Sequence, residues 1–436
     1  MTIKNEEHFT DIKTSLLEEG NTYVSDRFYE LESIVKETLD RFQDSDKALS
    51  LITKWALSFW SSDVHYDMRE WYIQLRFRID GNLTDIFQFT PQQYKLVLER
   101  MKYKSDLKLN ITNVPQDWKY RILDEDRRMD VRVSTLPIKL WENVVCRILD
   151  SSSKIPSIDD LGFVWASKRQ IEKSIKKKNW MILVTWPTGS WKTTTLYSIL
   201  NKLNIPDRKI ITLEDPIEYE MAWIVQSEVN EKNWYTFASW LRALMRQDPD
   251  IIMIWEIRDL ETAQIAAQAA LTWHLVLATL HTKSAAETLE RLINMGLPPY
   301  ILSSAIDIII AQRLVRKNCP NCMSQVEASS EQNEIIKWMM KDIWIEAVVK
   351  AKTEWFKLYK SSWCDECWHS GYKWRMWVYE VMAFNEKIRT LIRDWGSPAS
   401  ILEEARKQDM MIMREDWVLK AMRWKTTLDE LFRVID

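Results

Sequence analysis

Apolar and polar positions follow a strand-and-helix alternation through the second part of the chain. Short apolar runs at residues 181–185, 209–213, 251–255 and 275–280 have the length and composition of buried strands. Stretches of helical spacing, such as residues 260–271, separate them. This order predicts βαβ units, and therefore an α/β domain with a parallel sheet covered on both faces. Ligand chemistry is then expected at the carboxyl ends of the strands.

The first part of the chain has a different pattern. Residues 1–48 show helical spacing with acidic faces and predict a helical arm. Residues 49–150 mix helical spacing with strand-like runs at 71–79, 130–135 and 143–149, which predicts a smaller α/β domain. Residues 151–157, Ser-Ser-Ser-Lys-Ile-Pro-Ser, are polar and are typical of a linker. The second domain is therefore expected to span residues 151–436.

A phosphate-binding loop is predicted where the strand at 181–185 ends. The sequence continues Trp-Pro-Thr-Gly-Ser-Trp-Lys-Thr, and a helix follows through Leu203. Strand, loop and helix are the context in which G-x-x-x-x-G-K-[ST] binds a nucleotide, its lysine on the phosphates and its hydroxyl residue on Mg²⁺. The candidate ATP-binding residues are Pro187, Thr188, Gly189, Ser190, Lys192, Thr193 and Thr194.

Tryptophan occupies both glycine positions of this loop, Trp186 and Trp191. The loop works through exposed backbone N–H groups and unusual backbone angles, which tryptophan does not favour. The chain has 24 tryptophans and only 7 glycines, against an average glycine usage of about 7%. Trp273 also follows a predicted helix where a glycine cap is expected. We interpret most tryptophans as natural glycines encoded by UGA, which some bacterial codes read as glycine. Alternatively, the tryptophans are real and the chain is an inactive relative or an artificial variant.

Carboxylates follow several of the predicted strands. Glu214 directly follows the run at 209–213, Glu256 follows the run at 251–255, and His281 follows the run at 275–280. Parallel strands bring these ends to one edge of the sheet, so one carboxylate is expected to hold the water that attacks the γ phosphate. His281 is a candidate phosphate sensor, although a lone histidine is more often structural.

Four of the five cysteines form two Cys-x-x-Cys pairs. They are Cys319 with Cys322, and Cys364 with Cys367. Thiols at this spacing suit tetrahedral zinc, and four thiolates leave no open position, so we expect a structural Zn²⁺ site. The insertion that carries it is expected at residues 316–380. Cys146 lies in an apolar run and is expected in a core.

Bulk properties exclude several classes of protein. The formal net charge is −3, which gives no general attraction to nucleic acid or anionic lipid. No apolar run approaches the length of a membrane span, and the first residues lack the apolar core of a secretory signal. These observations predict a cytoplasmic protein.

Several motifs together resemble the type II secretion and type IV pilus assembly ATPases. They are the loop, Leu-Glu-Asp-Pro-Ile-Glu-Tyr at 213–219, residues 246–259 and residues 271–282. In that family they are called Walker A, Asp box, Walker B and His box. The similarity extends to residues 61–65, 75–81, 115–117 and 371–380 and leaves out only the first 48 residues or so. Tryptophan replaces the family's glycine at positions 118, 141, 186, 191, 234, 240, 255, 273, 374 and 377.

The resemblance implies a Mg²⁺-dependent ATPase with a RecA-like core, a preceding PAS-like domain and a zinc-binding insertion. Glu214 becomes a candidate water activator and Glu256 the Walker B carboxylate, and which of the two is the base stays open. Arg76 and Arg78 match arginines that act on the nucleotide as fingers. Without the resemblance, they would be interpreted as surface charge on a strand.

The resemblance also implies a homohexamer that drives pilus or type II pseudopilus assembly. Its expected partner is a polytopic inner-membrane platform protein, through which it would lie peripherally at the membrane. The alternatives are a DNA-uptake pseudopilus motor, a nucleic-acid translocase on the same fold, and a non-catalytic scaffold if the loop tryptophans are real.

Overall fold

The computed structural model describes residues 25–124, 127–139, 141–150, 155–185, 194–229, 237–340, 357–367, 370–423 and 425–434. Contacts divide the chain into two compact units. One is built on a six-stranded sheet and the other on a seven-stranded sheet. Among the described helices, none combines the length and the apolar character that a membrane span requires.

The first unit is an antiparallel sheet covered by helices. Its sheet has the order β3-β2-β1-β6-β5-β4, and all neighbouring strands run antiparallel. The elements are α1 (Ser25–Phe42), α2 (Ser45–Ser58), β1 (Ser61–Met68), β2 (Ile73–Ile79), β3 (Asn82–Phe89), α3 (Pro91–Lys104), β4 (Gln116–Asp124), β5 (Arg127–Pro137) and β6 (Glu142–Asp150).

Strand β2 shows how the sequence orients this sheet. Leu75 and Phe77 are fully buried in a core shared with the helices, whereas Arg76 and Arg78 alternate with them and are partly exposed. The period of two in a strand places the arginines on the opposite face from this core, as the sequence predicts. Helix α2 runs through residue 48, where the sequence had placed the end of the arm.

The second unit contains a seven-stranded sheet of order β15-β12-β7-β11-β10-β8-β9. The first elements are α4 (Trp165–Ser174), β7 (Trp180–Thr185), α5 (Thr194–Leu203), β8 (Ile210–Glu214), β9 (Ile224–Glu228), α6 (Phe237–Met245), β10 (Ile251–Ile254), α7 (Leu260–Leu271) and β11 (Leu275–Leu280). The later elements are α8 (Ala285–Asn294), α9 (Pro299–Ala305), β12 (Ile306–Asn318), β13 (Met323–Glu327), α10 (Ser330–Met339), β14 (Lys357–Ser361), β15 (Tyr372–Ala383), α11 (Glu386–Arg393), α12 (Pro398–Arg406), α13 (Met413–Met422) and α14 (Leu428–Val434).

The central strands of this sheet are parallel and buried on both faces. Strands β12, β7, β11, β10, β8 and β9 pair in parallel in that order. Met181 and Leu183 of β7 pack into one apolar cluster, whereas Ile182 and Val184 pack into another. Strands buried on both sides have continuous apolar sequences, which is why they were recognisable without a period-two signal. The α/β fold predicted from the sequence is confirmed.

Tryptophan occupies left-handed backbone positions in the described part of the chain. Six tryptophans have positive φ, namely Trp60 (54°), Trp180 (145°), Trp223 (67°), Trp273 (72°), Trp374 (67°) and Trp395 (56°). Only four glycines there have positive φ. The left-handed region costs a residue with a Cβ roughly 1–2 kcal/mol, and glycine is the residue that usually occupies it.

Three of these tryptophans follow the C-cap of a helix. Trp273 comes after the cap of α7, and the N–H of His274 donates to the carbonyl of Ala269 at 3.3 Å. Trp395 comes after the cap of α11, and the N–H of Gly396 donates to the carbonyl of Leu391 at 2.7 Å. Trp60 has the corresponding place after α2. The first two are Schellman motifs, whose left-handed residue is most often glycine.

Candidate functional site

The site is built where three neighbouring parallel strands end. Strand β8 ends at Glu214, β10 is followed by Glu256 after one intervening residue, and β11 is followed directly by His281. These strands are adjacent in the order β11-β10-β8, so the predicted meeting of their carboxyl ends is observed. The side chains that follow them fall into two groups, one around Glu256 and one around Glu214.

Glu256 is at the centre of a charged network. His281 Nε2 lies 3.3 Å from Glu256 Oε1, and Arg258 Nε donates to Glu256 Oε2 at 2.8 Å. Arg258 also approaches Asp215 Oδ2 at 3.5 Å. Burial acts to raise the pKa of Glu256, but the contacts with His281 and Arg258 outweigh it and lower that pKa to about 2. The carboxylate is therefore ionised at any physiological pH, and 15% of its side chain stays exposed.

Glu214 has a different environment. It is completely buried, and its Oε1 accepts hydrogen bonds from the Thr212 hydroxyl at 2.6 Å and from Gln226 Nε2 at 3.0 Å. Its Oε2 accepts a hydrogen bond from the Tyr197 hydroxyl. Burial raises the pKa of Glu214 more than the three donors lower it. Because Tyr197 lies on α5, Glu214 ties the helix that follows the predicted phosphate loop to strand β8.

The predicted phosphate loop lies mostly outside the described residues. Strand β7 is described up to Thr185, and α5 begins at Thr194, which is buried. Pro187, Thr188, Gly189, Ser190, Lys192 and Thr193 fall between them, so their roles stay predictions. Thr185 Oγ1 lies 2.5 Å from Thr282 Oγ1 and thereby links the start of the loop to the residue after His281.

The four paired cysteines come together as the sequence predicts. Cys319, Cys322, Cys364 and Cys367 place their sulfur atoms within 4.8 Å of one another. Tetrahedral zinc with Zn–S bonds of about 2.3 Å needs sulfurs about 3.8 Å apart, and Cys364 Sγ lies 3.6 Å from Cys367 Sγ. The backbone N–H groups of Cys364 and Gly371 point at Cys367 Sγ, at 3.4 and 3.3 Å. Such donors support a thiolate ligand, so the cluster fits structural zinc.

Cys146 belongs to the core of the first unit, as its apolar neighbours predict. It is 4% exposed, and burial raises the pKa of its thiol to about 12. A thiol with so high a pKa is neither a nucleophile nor a ready metal ligand. It serves as a control for experiments on the four clustered cysteines.

Sequence reasoning missed the side chains that hold the two glutamates. It gave no role to Arg258, although this residue lies only two positions after Glu256, nor to Tyr197 and Gln226. A signal existed for Arg258, since a cation close to a strand-end carboxylate is a common partner. Tyr197 and Gln226 come from α5 and β9, and only the packed structure brings them to Glu214.

Comparison with known proteins identifies the family that this chain resembles. A family model described as "Type II/IV secretion system protein" matches residues 42–433. The type II secretion system protein E of Dickeya dadantii is 39% identical over 412 residues, which cover 93% of this chain and 80% of that protein. The type IV pilus assembly ATPase PilB of Pseudomonas aeruginosa is 41% identical over 375 residues, which cover 86% of this chain and 64% of PilB.

Two solved ATPase structures are similar to this chain over most of its length. The pilus retraction motor PilT with bound ADP has a TM-score of 0.57 and 26% identity, and the match covers 88% of this chain and 96% of PilT. The ATPase DotB of Legionella pneumophila has a TM-score of 0.62 at 20% identity, and the match covers 88% of this chain and 94% of DotB. It shows that the two proteins share a fold. The fold and the strand-end site therefore define a RecA-like secretion ATPase. Within this class, the chain belongs to the type II/IV secretion system protein family.

Proposed function

We propose that this chain hydrolyses ATP as a Mg²⁺-dependent homohexameric motor that powers assembly of a type IV pilus or a type II secretion pseudopilus. The observation that carries the proposal is the family match over residues 42–433, with relatives named for both machines. The motor would act at the cytoplasmic face of the inner membrane on a polytopic platform protein. The slightly acidic net charge of −3 favours this over a nucleic-acid translocase.

Each group of site residues would have its own role in phosphoryl transfer. Residues 187–190 and 192–194 would hold the phosphates, with Lys192 on the β and γ phosphates and Thr193 on Mg²⁺. Glu256 would orient the attacking water, since it is ionised and partly exposed. His281, in contact with Glu256, would report the γ phosphate. Glu214 would act as an anchor of α5, because its oxygens already accept three hydrogen bonds. Arg76 and Arg78 would supply finger charges.

Replacing the chromosomal gene with a Lys192→Ala version tests the motor. Loss of the lysine removes a charge from the β and γ phosphates, so we expect no assembled fibres and no secreted cargo at an unchanged protein level. Electron microscopy counts the fibres, and immunoblots measure the chain and the cargo. Fibres and secretion at normal levels in the Lys192→Ala strain would contradict the motor. In a separate assay of the purified chain that keeps Lys192, ATP turnover that rises with added DNA would favour a translocase.

Zinc content tests the cysteine cluster. The purified chain is expected to carry one Zn²⁺ per protomer by elemental analysis, since the four sulfurs suit one tetrahedral ion. Cys322→Ser is expected to lower zinc affinity by more than about 100-fold, beyond the loss typical of a supporting residue. Cys146→Ala, which removes the core thiol, should keep the full metal content. Equal zinc in both variants would rule out this cluster as the site.

A further inference from the structure

Arg76 and Arg78 lie opposite carboxylates in the first unit. The register of β1 and β2 pairs Asp63 with Arg78 and His65 with Arg76, and the next position along β1 on that face is Asp67. One face of this strand pair therefore carries two arginines on β2 and two aspartates on β1. Each aspartate holds one arginine, but the two contacts differ.

Asp67 makes the closer contact. Arg76 Nε donates to Asp67 Oδ2 at 2.5 Å, and Arg76 Nη2 also contacts that oxygen. The exposed fraction is 23% for the Arg76 side chain and 16% for Asp67, so water only partly screens the pair. The carboxylate thus binds the side edge of the guanidinium, formed by Nε and Nη2.

Because Asp67 binds one edge of the Arg76 guanidinium, it determines which edge stays open for another ligand. A guanidinium has five N–H groups in one plane, and its end edge, formed by Nη1 and Nη2, is a second fork for two oxygens of a phosphate. A carboxylate on the side edge leaves that end edge directed away from itself. Asp67 therefore fixes the plane and direction of the group without occupying the fork that would bind a phosphoryl oxygen pair.

Arg78 is held more loosely. Its Nε lies 3.6 Å from Asp63 Oδ2, and its Nη1 donates to the carbonyl of Gly81 at 3.0 Å. Asp63 is buried and accepts its shorter hydrogen bonds from Arg147 Nε and the Ser62 hydroxyl, both at 2.8 Å. Asp63 thus binds Arg147 at a shorter distance than it binds Arg78. The contact of Asp67 with Arg76 is the one suited to aiming a finger.

We propose that Asp67 is a positioning residue for phosphoryl transfer: it binds the side edge of the Arg76 guanidinium and thereby keeps the end edge oriented and open for the oxygens of a phosphoryl group. This inference rests on the proposed role of Arg76 as a finger. Pre-orienting the group lowers the entropy lost when it binds the transition state. Asp67 then affects the reaction rate rather than the binding of ATP.

The test compares three variants of the full chain that carries Trp186→Gly and Trp191→Gly. Asp67→Asn is expected to lower kcat by about 10- to 100-fold with KM for ATP within about threefold. Its affinity for ADP with aluminium fluoride, a mimic of the transferring phosphoryl group, should fall by a similar factor, while its affinity for ADP alone stays the same. Arg76→Ala should lower kcat further.

Asp130→Asn is the matched control. Asp130 accepts from Arg121 Nε at 2.8 Å in another cross-strand pair of the same sheet, so its loss should change neither kcat nor the affinity for the mimic. If Arg76→Ala lowers kcat and Asp67→Asn does not, the positioning role is wrong and the finger stands. If neither variant changes kcat, the finger itself is wrong. Equal losses of affinity for ADP and for the mimic in Asp67→Asn would indicate a merely structural residue.

Discussion

A chain with Trp186→Gly and Trp191→Gly is expected to bind ATP at least 100-fold more tightly than the chain with tryptophan, a difference of about 2.8 kcal/mol. The phosphate loop binds through consecutive backbone N–H groups and the amino terminus of the following helix. Indole side chains at its two glycine positions would fill the space that the phosphates need and disfavour the required backbone angles. Calorimetry with Mg·ATP measures the two affinities.

The rest of the chain supports glycine at these positions. Six described tryptophans already occupy left-handed backbone positions, and the 24 tryptophans and 7 glycines together make 31 of 436 residues. That share is about 7%, the ordinary usage of glycine. The codons for Trp186 and Trp191, or mass spectrometry of the protein from its natural host, test the UGA interpretation directly.

Trp273→Gly and Trp395→Gly are the controls for this experiment. Both positions follow helix caps with positive φ, and both side chains are exposed, so neither change should alter ATP affinity. Relief of left-handed strain should instead raise the free energy of unfolding by roughly 1 kcal/mol or more each, which appears as a higher Tm. Equal ATP affinity of the tryptophan and glycine loop forms would refute the loop prediction.

The sequence predicted those parts of the fold that depend on local pattern. Strand β11 and helix α7 have the predicted bounds, because each is an apolar or periodic segment with clear polar ends. The meeting of Glu256 and His281 was also predictable, since parallel neighbouring strands end at one edge. The arm predicted at residues 1–48 stays a prediction, since residues 1–24 lie outside the described part of the chain. In the described part, α1 and α2 meet at a short turn near Asp44, and α2 continues past residue 48.

Contacts that depend on register or on helix rotation could not be predicted. Asp67 and Arg76 are nine positions apart, and their pairing follows only once β1 and β2 have a fixed register. Likewise, the Tyr197 hydroxyl reaches Glu214 only because α5 packs against the sheet with one particular face inward. The contact of Tyr197 with Glu214 is one reason why we propose different roles for the two glutamates, a choice that the motifs alone left open.

Glu256→Gln is expected to lower kcat by at least about 100-fold while KM for ATP stays within about threefold. The contacts with His281 and Arg258 lower the pKa of Glu256 to about 2, so the carboxylate is a weak base but a permanent negative charge. These properties suit the role proposed for Glu256, which is to orient the attacking water, since positioning is a large part of what a protein contributes to phosphoryl transfer. An amide of the same size keeps the shape and loses the charge.

Glu214→Gln is the isosteric counterpart. The amide oxygen can still accept from Thr212 and Gln226, and the amide nitrogen can donate to the Tyr197 hydroxyl oxygen, so the anchor of α5 should survive and kcat should fall by less than about tenfold. Because the pKa of Glu256 is near 2, its ionisation should add no acid limb near pH 4.5 to the pH profile of kcat/KM. Steady-state ATP turnover of both variants across pH measures these effects. A severe loss in Glu214→Gln with near-normal turnover in Glu256→Gln would reverse the two roles.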